Sequence, residues 1–136
     1  MLYEVRSIAL AVPFDAAFAY LSDVTRLPEW THAFAEVEPD GRALMCTPAG
    51  EVPVRLTDRV DRATGVIDTT MAFPDGGVAT AFSRLVPLGA GACVYSFVLT
   101  PPPVALEALE GALQEQAAIL EAELDTLKAR LEGVPA

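Results

Sequence analysis

Four side chains could move a proton or hold a polar ligand: His32, Asp58, Arg84 and Tyr95. His32 is the only imidazole, two residues beyond the only tryptophan, Trp30. Facing a cavity, it would serve as a general acid or base near neutral pH; on the surface or at a helix end it would not. Asp58 shares an alternation face with Val54, Leu56 and Val60 in "EVPVRLTDRVD", so an unbulged strand turns it toward the apolar side. A carboxyl there has its pKa raised or finds a partner, with Arg84 on a later strand as the candidate; a bulge or strand end would free it to solvent. Tyr95 and Arg84 would bind a ligand oxygen if they face inward. His32, Asp58 and Tyr95 are thus the catalytic candidates, and they form no recognisable constellation.

Other chemistries find little support. "GAGA" (89–92) lies between two strands, where its glycines serve a hairpin rather than a phosphate loop opening a helix. The serines of "FSRL" and "YSF" lack the strained elbow of a hydrolase nucleophile. One histidine and two scattered cysteines make no metal signature, and the residues imply no cofactor. Cys46 and Cys93 are expected to be small, buried, reduced thiols.

Nine Lys and Arg against nineteen Asp and Glu give a formal charge of −10. Phosphate backbones are bound by basic clusters, and none is present, so nucleic acid and anionic membrane surfaces are not expected partners. The N-terminus has no basic segment followed by an apolar one, and no apolar run approaches the roughly 20 residues of a membrane span, so the cytoplasm is the expected compartment. At 136 residues the chain reads as one domain, 1–136, that buries roughly 68% of its unfolded surface without staples.

The elements that must position these residues follow from periodicity. Residues 2–12 alternate as a strand ended by Pro13, and Phe14, Phe18 and Leu21 then share a helical face. Asp15 suits the helix start, and Ser22 and Asp23 favour termination or a new cap. Val24 to Leu27 would add one turn, closed by Pro28, which should force Leu27 out of the α region. From Phe34 to Thr100, six strand-length segments alternate with turns such as Pro39-Asp40-Gly41, Ala63-Thr64-Gly65 and Pro74-Asp75-Gly76-Gly77, which indicates a meander. After three prolines, Val104 to Leu131 carries leucines and Ala117 at three- and four-residue steps, a helix of about 42 Å. Glu107 and Glu110 near its start and Lys128 and Arg130 near its end match the macrodipole, and Gly133 stops it. The fold class is therefore α+β: a curved antiparallel sheet of about seven strands around one long C-terminal helix, with two short helices after the first strand. The gap between sheet and helix is where a cavity can form.

"VPFDAAFAYLSDVTRLPEWT" (12–31) resembles the START and Bet v 1 superfamily, known as SRPBCC, in its bacterial polyketide cyclase/dehydrase-like and lipid-transport-like branch: strand end, Pro, small acidic helix start, aromatic pair, Ser-Asp, then Leu-Pro-Glu-Trp. "RLVPLGAGACVYSFVL" is similar to that family's penultimate hairpin, although Ala92 stands where Thr is common after the glycine. The resemblance in element order covers nearly the whole chain and implies a helix-grip fold with Trp30 at the cavity mouth or bracing its cap.

Two functions follow. One is binding of a small hydrophobic or amphipathic molecule, lipid- or polyketide-like, between sheet and helix. The alternative is a cyclase or dehydratase in which Asp58, His32 or Tyr95 moves protons in the same cavity; fold alone does not choose. Strand and helix faces nominate Trp30, Leu56, Asp58, Met71, Phe73, Phe82, Tyr95, Phe97, Leu109 and Leu113 as its lining. The partner is a small apolar molecule. The helix's apolar stripe would be consumed by its own sheet, so a monomer or weak homodimer is expected.

Overall fold

The β-branched and aromatic runs between turn residues form seven strands, and the turns decide how they pair. The computed structural model describes residues 4–47, 50–99 and 109–133, with 109–111 described by backbone alone. The strands are β1 (Val5–Leu10), β2 (Phe34–Val37), β3 (Arg42–Thr47), β4 (Gly50–Asp61), β5 (Val66–Ala72), β6 (Val78–Leu88) and β7 (Ala92–Val98). They make one antiparallel sheet in the order β1-β7-β6-β5-β4-β3-β2, so β2 to β7 is a meander and β1 adds to its far edge. Two turns require glycine. Gly41 and Gly65 have φ of +95° and +76°, and a Cβ there would lie 2.4 Å from the Leu56 oxygen and 1.9 Å from the Leu85 oxygen. Each glycine carbonyl accepts from the strand beyond it, Leu56 N–H at 2.7 Å and Leu85 N–H at 2.8 Å.

The helices are α1 (Phe14–Leu21), α2 (Leu27–Trp30), preceded by a 3-10 turn at Val24–Arg26, and α3 (Leu109–Glu132). In α1 the Phe14 and Phe18 rings stack at 5.5 Å, and Ala17, Phe18 and Leu21 are buried. Asp23 caps the 3-10 turn by accepting from Thr25 N–H. The expectation for Leu27 is corrected: its φ and ψ of −53° and −42° are α-helical. Pro28 opens a second short helix instead of ending the first, because an N–H missing from a helix's first turn leaves no bond unmade. Strand positions 2 and 3, the expected helix start at Val104, Leu106 and Glu107, and the side chains of Leu109 and Glu110 lie outside the described residues.

α3 is about 36 Å long and buries Leu113, Ala117, Leu120, Leu124 and Leu127 against the sheet. It is tied down along β1 and α2. Glu132 accepts from Ala11 N–H at 2.8 Å, Lys128 reaches the Ala9 carbonyl at 3.1 Å, and Arg130 bonds both the Glu29 carbonyl and its carboxylate. Gly133, at φ +70°, ends the helix in the left-handed conformation that glycine tolerates. The main core joins Leu10, Phe18, Leu21, Leu85, Cys93 and Leu127, while a second cluster gathers Ala43, Val54 and Leu56 with Val24, Leu27 and Phe73. Cys93 is buried and free as expected; Cys46 is exposed on the edge hairpin, contrary to expectation, because only alternate positions of β3 reach the core. No helix among the described residues is long and apolar enough to cross a membrane.

Candidate functional site

Between the sheet and α3 lies a partly open cavity of about 190 Å³. Each wall has a sequence reason. The last turn of α2 supplies Trp30, which is 5% exposed and meets the Tyr95 ring edge-on at 6.2 Å. Tyr95 and Phe97, two apart on β7, share its inner face with ring centroids 6.5 Å apart. β5 contributes Ile67, Thr69 and Met71, again at period two, and β6 contributes Ala81 and Ser83. From α3 come Gln116, Leu120 and Glu123 at i, i+4 and i+7, one helical stripe. Leu27, Ala33, Phe34 and Met45 close the side beneath α2.

The polar groups are few and placed. The β5–β6 ladder pairs Val66 with Arg84 and Thr69 with Ala81; between these pairs Ser83 donates its hydroxyl to the Ile67 carbonyl. That bond explains how a serine is buried in a strand centre. Tyr95 is fully enclosed, and burial drives its phenol well above the ordinary range; the Ser83 hydroxyl in contact works against that rise, and the charges of Glu123 and Asp58 add to it. Glu123 is raised by burial, partly offset by its hydrogen bond from His32 N–H, at 2.6 Å from Oε2, and by the nearby imidazole. Asp58 is half-buried and raised, again chiefly by burial, with the Thr69 hydroxyl donating to it at 2.9 Å. Thr69 is thus a bridge from Asp58 to the cavity wall.

The sequence candidates separate cleanly by placement. Trp30, Met71, Tyr95 and Phe97 line the cavity. Leu56 and Phe73 pack in the second cluster beside it, and Leu113 is buried along α3 without reaching the cavity. Asp58 stands behind Thr69. Its expected partner is corrected: Arg84 is on the outer face, bonding the Thr64 carbonyl, since even-numbered β6 positions point away from the core. Phe82 is turned out for the same reason and is 49% exposed. The His32 side chain is exposed, and its link to the cavity is its backbone N–H. The Leu109 side chain lies outside the described residues. Glu123, Gln116, Ser83 and Thr69 were missed. The available signal was that Gln116 and Glu123 flank Leu120 at helical spacing, on the margin of the apolar stripe. No group of three or more His, Cys, Asp or Glu among the described residues is placed to hold a metal ion.

A seven-stranded antiparallel sheet closed on one long C-terminal helix, with split helices capping the gap, defines a helix-grip protein of the START/Bet v 1-like class. The chain belongs to the polyketide cyclase/dehydrase and lipid transport family, whose model matches residues 5–132. Solved structures agree on the fold. The ZhuI aromatase/cyclase of Streptomyces sp. R1128 is 17% identical, with 96% of this chain and 93% of that one covered at a TM-score of 0.65. A START superfamily protein of Mycobacterium smegmatis is 16% identical, with 96% and 97% covered at 0.64. A conserved protein of Geobacillus kaustophilus is 13% identical, with 97% and 96% covered at 0.71. No curated protein matches the chain.

Proposed function

We propose that the chain holds a small hydrophobic or amphipathic molecule in the cavity between its sheet and α3, as a single domain over residues 1–136. The observation that carries this reading is the cavity itself, walled by Trp30, Tyr95, Phe97, Leu120 and Met71 with a few polar groups, the usual make-up of a small-molecule site. Its volume of about 190 Å³ compares with the roughly 150 Å³ apolar cavity that accepts benzene. It is smaller than the roughly 300–1,000 Å³ of drug-sized pockets. The ligand body is therefore one or two rings or a short acyl chain.

Native mass spectrometry of protein purified without added ligand, followed by solvent extraction, tests this. A retained small mass is expected, and the extracted compound should shift Trp30 fluorescence when added back. If neither a retained mass nor any added one- or two-ring compound perturbs Trp30, the container reading fails.

One observation favours the second reading, a cyclase or dehydratase. Tyr95 and Glu123, two titratable groups, line the same cavity, and Asp58 is near enough to act on Tyr95 electrostatically. A carboxylate with raised pKa is suited to accept a proton near neutral pH, and Tyr95 is suited to donate a hydrogen bond to a carbonyl. The Glu123→Gln variant separates the two readings. A carrier has no turnover to lose, whereas an enzyme should lose at least about 100-fold in turnover of a cyclisable poly-β-ketone while still binding it.

A further inference from the structure

The charges around the cavity are one-sided. All nine Lys and Arg residues of the chain are among the described residues, and none lines the cavity. Six pair with acids elsewhere: Arg6 with Glu4 and Glu121, Arg26 and Arg130 with Glu29, Arg42 with Asp40, Arg62 with Asp15, and Lys128 with Glu132. Arg55 and Arg84 bond backbone carbonyls, and Arg59 is exposed on β4. Inside, Glu123 is the one ionisable acid on the wall among the described residues, with Asp58 behind Thr69 adding the same sign. Of the Glu123 oxygens, Oε2 takes the His32 N–H, while no donor among the described residues reaches Oε1. Across from α3 stand the rings of Trp30, Tyr95 and Phe97, whose faces attract cations.

From this arrangement we infer that the cavity selects a ligand carrying a protonated amine on a ring-sized apolar body, with the ammonium at Glu123 Oε1 and the body against Trp30, Tyr95 and Phe97. An ammonium there gains a charge-assisted hydrogen bond beside a carboxylate that no Lys or Arg meets and that only the neighbouring His32 imidazole offsets. A carboxylate or phosphate ligand meets like charge in a poorly solvated space with no Arg or Lys to receive it, which costs binding. Free fatty acids are on this account poor ligands. The inference rests on the container reading and narrows it to one class of ligand.

Three compounds with one shared body test it: 2-phenylethylamine, 2-phenylethanol and phenylacetate, titrated against the full chain and followed by Trp30 fluorescence. The amine should bind more tightly than phenylacetate by about tenfold or more, with the alcohol between them. The Glu123→Gln variant keeps an oxygen for the His32 N–H, so it should fold. It should bring the amine and the carboxylate to within about threefold of one another and change alcohol binding little. Phenylacetate binding as well as the amine, or an amine preference that survives Glu123→Gln, would overturn the inference while leaving the container reading in place. Silence from all three would also overturn the inference, and the container reading would then stand or fall on the retained mass.

Discussion

The two ends of the interface between α3 and the sheet are built from similar residues and packed differently. Toward the end of α3, Leu10, Leu85, Cys93 and Leu127 are 0–1% exposed, and Ala17, Phe18 and Leu21 of α1 join the same cluster. Toward its middle the covering element is the single turn of α2, and the wall includes Ala33, Ala81 and the flexible Met45 and Met71. Both stretches of α3 are anchored: Glu132, Lys128 and Arg130 hold the last turns to β1 and α2, and Glu121 and Glu123 take bonds from Arg6 and the His32 N–H nearer the middle. A cavity survives where small side chains face a thin cap, and packing closes where large ones face a full helix.

That contrast can be broken in order of expected effect. Gly65→Ala places a methyl against the Leu85 carbonyl at a positive φ, so it should cost more than about 4 kcal/mol or prevent folding. A urea midpoint close to wild type would show that the β4–β5 turn can move away. Leu127→Ala, at the packed end, should cost about 3 kcal/mol, while Met71→Ala, on the cavity wall, should cost about 1 kcal/mol. Equal losses in denaturation would erase the distinction between the ends.

Adding volume sharpens it. Ala17→Leu at the packed end should destabilise by about 2 kcal/mol through overpacking. Ala81→Leu fills existing space, so it should change stability by less than about 1 kcal/mol and remove ligand binding at least tenfold. Thermal melts and Trp30 titrations read both.

The smallest effect is in pH, where the two ends have opposite sign. In Glu29, hydrogen bonds from Arg26 and Tyr20 and the charges of Arg26 and Arg130 outweigh desolvation and lower its pKa; in Glu132 the Ala11 N–H and Lys128 do the same. Their stabilisation is present above the unfolded carboxyl value of roughly 4.3 and is lost as pH falls through their lower folded values. Glu123 is raised by burial, so its ionised form penalises the fold above its folded pKa and the penalty disappears below roughly pH 4. Glu123→Gln should therefore raise Tm slightly at pH 7 and not at pH 4. A Tm gain that persists at pH 4 would mean that the carboxylate charge is not its cause.

Much of this architecture is legible in the residues. Turn chemistry at Gly41 and Gly65 separates the strands, the Leu stripe marks α3, and Trp30 falls beside the cavity because Leu-Pro-Glu-Trp follows the first helix at once. The faces of β6 are a different matter. Ala79, Ala81, Ser83 and Leu85 alternate with Val78, Thr80, Phe82, Arg84 and Val86, and each set mixes apolar with polar residues. Period-two alternation then leaves the strand free to present either face, which is how Phe82 came to be expected inside. Glu123 was hidden for a related reason. A helical stripe has margins, and whether a marginal residue meets solvent, sheet or cavity depends on the surface opposite.

The sequence by itself determined the order of elements, the α+β class, the long helix and the aromatic beside the cap, because these rest on local turn chemistry and periodicity. Only the tertiary structure decided that Ser83 rather than Phe82 turns inward, that Glu123 reaches the cavity wall, and that no Lys or Arg does. Those choices depend on which faces meet across the fold, and no local pattern carries that information.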